Sequence, residues 1–182
     1  MKLRALLLAL SAVALTACST WQKVDDPPES TVMVYGYLDM EDAPTVLDYF
    51  HFKQVKPKTD TPYWSTAVDD GHFYGTGLVP GSYQFNTFGG TNCLLGNFLC
   101  GTPHEYSFPA QNDGFRFTKP GLHYVGSYKY KHIDRGMFKS DNFDIEPTRK
   151  PTELEVLRKI LPHFKGDRWA PHIEARIKEL SR

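Results

Sequence analysis

The sequence has no long hydrophobic run, no excess of either charge and little cysteine. Its 182 residues carry 21 Lys and Arg against 21 Asp and Glu. That balance excludes a polybasic nucleic-acid binder, whose hold on phosphates requires surplus cations. The longest apolar stretch, from Ala5 to Leu15, is about 11 residues, whereas a helix crossing a bilayer needs roughly 20. Three cysteines are too few for a disulfide-dense scaffold. Also absent are His-Glu-x-x-His, Gly-x-Ser-x-Gly, a Gly-Lys-Ser/Thr phosphate loop and a dinucleotide fingerprint, so no familiar enzyme class is indicated. The chain does have a 41% hydrophobic composition with 12 Phe and 10 Tyr, enough to build a packed core.

The first 17 residues differ from the rest. Lys2 and Arg4 precede the apolar run, and small residues follow it up to Cys18, the layout of a signal peptide. Leu15-Thr16-Ala17-Cys18 resembles the lipobox of bacterial lipoproteins. The resemblance implies cleavage before Cys18, a diacylglycerol on its thiol and a fatty acid on its new amino group. Ser19 in place of Asp implies sorting to the outer membrane, facing the periplasm or the cell surface. Two or three acyl chains make a persistent anchor. Removing Lys2 and Arg4 with the leader leaves 19 basic against 21 acidic residues, so lipid rather than a basic patch would hold the protein to the membrane. Residues 18–30, with Pro27, Pro28 and three acids, read as a flexible tether.

Cys93 and Cys100 then remain as an even pair in an oxidising compartment. Six residues separate them, and Gly89, Gly90, Gly96 and Gly101 lie around them. A structural disulfide closing a short loop is the expectation. A redox or metal role is the alternative, although the spacing is not that of a Cys-x-x-Cys motif.

From Thr31 the pattern has period two. Val32, Val34, Gly36 and Leu38 alternate with Met33, Tyr35 and Tyr37, and further aromatic-rich runs at Val46–Phe52, His72–Phe88, Glu105–Ala110, Phe115–Lys119 and Leu122–Lys131 are separated by turn residues. About seven short strands predict a mainly β fold, an antiparallel β-sandwich over residues 31–146 with a hairpin at Pro80-Gly81. Leu78, Pro80, Gly81 and Tyr83, after the strand-like VMVYGYL, resemble the turn and first strand of transthyretin-like and carboxypeptidase-regulatory-like sandwich domains. Those modules serve mostly as spacers, adhesion or carbohydrate-facing elements, which is what the resemblance implies here.

Residues 147–182 read as a helical segment of the same folded unit. Thr152 and Glu155 form a capping-box pattern, Leu154, Leu157 and Leu161 recur at helical spacing, and Pro162 ends that element. Trp169, Ile173, Ile177 and Leu180 mark a second helix capped by Asp167, with Trp169 in the core. Both helices are short and need the sheet to stabilise them.

Candidate chemistry is sparse. Seven histidines (51, 72, 104, 123, 132, 163 and 172) are scattered along the chain, and only a pair such as His72 and His123 could meet across a sheet, so no metal is expected. Asp69-Asp70-Gly71 could be paired carboxylates for glycoside hydrolysis, but reads more simply as a turn. Tyr128, Lys129, Tyr130, Lys131, Arg135 and Lys139 form a possible binding strip for an anion or glycan; on an edge strand the same alternation would simply bury tyrosines and expose lysines. Catalytic residues, cofactors and nucleic-acid partners are not expected. The sequence thus predicts a non-enzymatic lipoprotein of the outer membrane, a tethered structural, accessory or binding module for another envelope protein or glycan. The alternative is a periplasmic hydrolase or metal-dependent enzyme without a local motif.

Overall fold

A computed structural model describes residues 27–60, 63–94, 99–108, 114–133 and 142–182. The leader, Cys18 and the tether as far as residue 26 lie outside the described residues.

Strand β1 (Val32–Asp39) is central and buried on both faces. Val32, Val34 and Leu38 enter one core, while Met33 and Tyr35 enter a second. This explains why its period-two pattern has no polar side. The other strands are β2 (Tyr49–Lys56), β3 (Tyr63–Asp69), β4 (His72–Leu78), β5 (Gly81–Gly90), β6 (Cys93–Leu94), β7 (Leu99–Cys100), β8 (His104–Ser107), β9 (Phe115–Phe117), β10 (Gly121–Ile133) and β11 (Asn142–Thr148). Nine of them form one sheet in the order β11-β10-β1-β4-β3-β2-β5-β8, with β9 also on β5; β6 and β7 make a separate ribbon.

The sandwich expected from the strand pattern is corrected to a nearly closed nine-stranded barrel. The reason lies in β3, which the sequence reading missed. Its first half pairs with β2 (Phe50 with Thr66, Lys53 with Tyr63), and its second half pairs with β4 (Ala67 with Tyr74, Asp69 with His72). One strand therefore turns the corner between what would have been two sheets, making them hydrogen-bonded neighbours. At the other side the sheet ends meet through rings: Tyr106 of β8 lies edge-on to Phe143 of β11 and to Tyr130 of β10, each at 5.3 Å.

The resemblance to transthyretin-like domains is overturned by the same topology. β1 runs parallel to β10 and antiparallel to β4. The expected hairpin at Pro80-Gly81 does not form either, since β5 pairs with β2, β8 and β9 rather than with β4. The Leu78-to-Tyr83 segment is instead an arch across one end of the barrel, tied by the Tyr83 hydroxyl donating to the Val79 carbonyl at 2.7 Å. Gly81 is required there: a Cβ would lie 2.4 Å from the Lys56 carbonyl oxygen.

The barrel interior is largely aromatic. Phe50 stacks on Phe73 at 4.3 Å and meets Phe85 edge-on at 5.0 Å. Along β10 the inward face changes parity: Leu122 and Tyr124 belong to the outer cluster, whereas Val125, Tyr128 and Tyr130 belong to the inner one. Gly126, at φ +112°, sits at this switch, where the β1–β10 register shifts between Tyr35 and Tyr37, as a bulge requires.

The outer cluster is covered by helix α1 (Glu153–Ile160), a 3-10 turn (Leu161–Phe164) and helix α2 (Ala170–Leu180). The capping box at Thr152 is present in both directions. Pro162 tightens the chain into the 3-10 turn rather than ending it. Asp167 does not cap α2 as expected, because Trp169 holds the cap position without a side-chain bond; the Trp169 backbone NH instead donates to Asp167 Oδ1 at 2.9 Å in the preceding turn, and the Trp169 ring is buried among Met33, Tyr35 and Ile173. Beneath the helices the outward residues of β1 and β10 are apolar, whereas the outward residues His51, Lys53, Gln84 and Thr87 of β2 and β5 are polar and only partly buried. Helices and solvent thus divide the barrel wall according to the sequence of each strand.

Cys93 and Cys100 stand opposite one another in the β6–β7 ribbon. Cys100 is disulfide-bonded, and the register that sets it opposite Cys93 is the one the expected loop-closing bond requires.

Candidate functional site

A cleft of about 530 Å³ opens where the two ends of the sheet approach one another, lined by Glu41–Pro44 of the β1–β2 connection, His104 and Tyr106 of β8, and Tyr130 and His132 of β10. That volume suits a small organic ligand. Each element contributes for a local reason. Alternation along β10 turns Tyr130 inward, leaving its ring almost fully buried. The short β8 sets Tyr106 against Phe88 in a stack at 5.0 Å. In the loop, the Glu41 backbone NH donates to Asp39 Oδ1 at 2.9 Å and the Ala43 NH donates to the Met40 carbonyl at 2.9 Å.

Tyr106 is the most informative residue of this cleft. Its hydroxyl is buried and makes no hydrogen bond. Burial first, then the adjacent Tyr130 hydroxyl, push the Tyr106 phenol above its ordinary value, so it stays protonated beside a hydroxyl that it does not meet in hydrogen-bonding geometry. Buried polar atoms are nearly always satisfied, and an exception calls for a reason. Tyr130 and His132 meet at 3.5 Å between hydroxyl and Nδ1. The rim is acidic and partly neutralised: Lys129 Nζ is 3.0 Å from Asp42 and 3.8 Å from Glu41.

A second depression of about 500 Å³ shares Glu41 with the first and is lined by Tyr37, Asp39, Thr45, Asp48, Asp69 and Asp70 among others. Burial, then the fields of Asp39, Asp70 and Glu41, raise the Tyr37 phenol. Most of these acids have structural partners. Asp48 accepts from the Thr91 NH at 2.7 Å, and Asp69 lies 3.1 Å from His163 Nε2 and 3.9 Å from Lys159.

The residues singled out in the sequence are dispersed by the fold. Asp69-Asp70-Gly71 is the turn between β3 and β4, with Asp70 at φ +49° and Gly71 at φ +75°, the double positive φ of a type I′ hairpin. In the YKYK segment, Tyr128 and Tyr130 face the barrel interior, Lys129 pairs with the β1–β2 loop, and Lys131 pairs with Glu146 at 2.7 Å. Arg135 and Lys139 lie outside the described residues. His72 and His123 do not meet: His72 Nδ1 lies against the backbone carbonyls of Asp69 and Asp70, at 3.1 and 2.9 Å, while His123 Nε2 reaches the Lys119 carbonyl at 2.8 Å. Among the described residues no group of three or more His, Cys, Asp or Glu is placed to hold a metal ion, and no helix is long and apolar enough to cross a membrane. Comparison with family models, curated proteins and solved structures gives no match for this chain.

Of the cleft residues only Tyr130 belongs to the binding strip marked in the sequence; the others were not legible as a site. His104, Tyr106 and His132 come from strands whose neighbourhood depends on barrel curvature, and Glu41 and Asp42 resemble any acidic loop.

Proposed function

We propose that this protein is a lipid-anchored, non-catalytic binding module of the bacterial outer membrane, and that the cleft at the sheet ends takes a small hydroxyl-rich ligand such as a glycan unit. The observation that carries the proposal is the unsatisfied Tyr106 hydroxyl in a cleft with an aromatic floor and a carboxylate and imidazole rim. Tyrosine rings offer stacking faces for a sugar, and carboxylates accept from its hydroxyls. Hydrolysis is less well supported by the same residues. Glycosidase chemistry needs two carboxylates on opposite sides of a bond, and here Glu41 and Asp42 are adjacent in the chain and turned to one lysine.

Two measurements test this reading. Metabolic labelling with a fatty acid should mark the native chain and not Cys18→Ala, which should leave the membrane fraction; an unlabelled native chain overturns the anchor. Calorimetric titration with a panel of neutral and N-acetylated disaccharides should give binding that weakens in Tyr106→Phe and in His132→Ala. Turnover of the glycosidic bond in that panel would replace the binding role with a hydrolytic one.

A further inference from the structure

The described barrel is polarised from end to end. At one end lie the exposed Lys56, Lys58, Arg116 and Lys119, none of whose charged groups has an ion-pair or hydrogen-bond partner among the described residues, together with Lys53 over the Tyr63 ring. Among the described residues the acids there, Glu29 and Asp60, are fewer. At the other end lie Asp39, Glu41, Asp42, Asp48, Asp69 and Asp70, and both clefts open among them. Apolar exposure follows the same axis. Of the four large hydrophobic residues exposed in the described structure, Val55 (43%), Tyr63 (52%) and Val79 (39%) belong to the basic end, and Val46 to the acidic one.

The chain enters the barrel at the basic end. Val32 is in register with Leu78 and with Gly121, the Thr31 carbonyl accepts from the Gly121 NH at 2.9 Å, and Ser30 and Thr31 fold back onto the Pro27 carbonyl. The segment from Cys18 to Thr31 can therefore hold this end no more than about 40 Å from an acylated Cys18. A short leash gives the nearest surface a high effective concentration. Cations interspersed with exposed apolar and aromatic side chains form a surface that anionic headgroups attract and the interfacial region accepts.

Resting on the lipid-anchored reading above, we infer that the Val55–Tyr63–Val79 end docks on an anionic lipid surface, so that the barrel stands end-on and its acidic clefts face away from the membrane. The acyl chains hold the protein, and this contact sets its orientation.

The test uses protein purified from the membrane fraction and reconstituted in vesicles of phosphatidylethanolamine and phosphatidylglycerol, with a photoreactive benzophenone amino acid in place of Val55, Val79 or, as the distal apolar control, Val46. Lipid adducts detected by mass at 55 and 79 but not at 46, and lost in Lys56→Glu/Lys58→Glu/Lys119→Glu while the protein still floats with the vesicles, are the expected result. Equal or absent adducts at all three positions in protein that floats overturn the docking and leave the anchor standing. Protein that carries no acyl mass and does not float overturns the anchor, and the docking with it.

Discussion

At the scale of single residues, two positions separate packing from function. Gly36 faces the barrel interior beside the β10 bulge, where a Cβ would come within 2.5 Å of the Phe73 ring and 2.7 Å of the Gly126 carbonyl oxygen. Neither neighbour is free to retreat, because Phe73 is fully buried and stacked on Phe50. Gly36→Ala should therefore destabilise the fold by about 1–3 kcal/mol, read as a lower denaturant midpoint at unchanged m-value. Tyr106 behaves in the opposite way. Removing a buried hydroxyl that has no partner relieves an uncompensated desolvation cost, so Tyr106→Phe should raise stability by up to about 1 kcal/mol while weakening ligand binding. Unchanged stability with unchanged binding would show that the hydroxyl has no special role.

At the scale of elements, the helical cover is fastened to the barrel by one network and one cap. Arg176 of α2 grips Glu153 of α1 through two contacts, Nε to Oε1 at 2.9 Å and Nη2 to Oε2 at 3.1 Å, and the Tyr35 hydroxyl of β1 donates to the same carboxylate at 2.8 Å. Three elements thus share one anion. Bidentate, charge-assisted geometry at a half-covered site places Arg176→Ala at a loss of about 1–2 kcal/mol, and Arg176→Lys, which cannot reproduce the fork, should recover only part of it. The cap is sensitive to pH. The Thr152 backbone NH, then the Lys150 ammonium, then the Thr152 hydroxyl hold the Glu155 carboxyl down at about 2, from an ordinary value of 4.5. Its native pKa is depressed, so its contribution is fully present above pH 4.5 and is lost as pH falls toward 2. The stability difference between the native protein and Glu155→Gln, measured by denaturation at several pH values, should be constant above about pH 5 and shrink across that window.

These elements also show what local patterns can carry. The capping box and the Trp169 stripe were readable because each depends on residues within one or two turns of the chain. β3 and β11 were not. Tyr63–Asp69 follows a proline-rich polar stretch, and Asn142–Thr148 contains two acids and Pro147, which an edge strand tolerates but a sequence pattern marks as loop. Their partners, β2, β4 and β10, supply the context that makes them strands.

At the scale of the whole molecule, closure among the described residues rests on rings rather than on a ladder. Phe143 of β11 meets Phe88, Tyr106 and Phe108 at 5.2, 5.3 and 5.8 Å, so Phe143→Ala should open the join between the sheet ends. Loss of a ring of this size in a partly buried setting costs about 2 kcal/mol, below the range for a fully buried Phe. Hydrogen exchange should then rise first in β8 and β11, ahead of β1 and β4. Uniform exchange across all strands would mean that the join does not unfold separately. The seam cleft should lose its ligand in the same variant, since Tyr106 and Tyr130 are positioned by the ring contacts that Phe143 completes.

The sequence by itself determined the strand-rich character of the body, the apolar faces of its strands, the capped start of the first helix and the turn at Asp70-Gly71, because each follows from the conformational preferences of a few neighbouring residues. It also carried the Leu15–Cys18 pattern on which the proposed anchor rests, a local motif. The tertiary structure alone decided that the strands form a barrel rather than a sandwich, that β1 lies parallel to β10, and that Tyr106 and His132 share a cleft. Those outcomes depend on which edges come together after the chain has turned a corner at β3, and hydrogen bonding between distant strands leaves no periodic trace in the residues that make it.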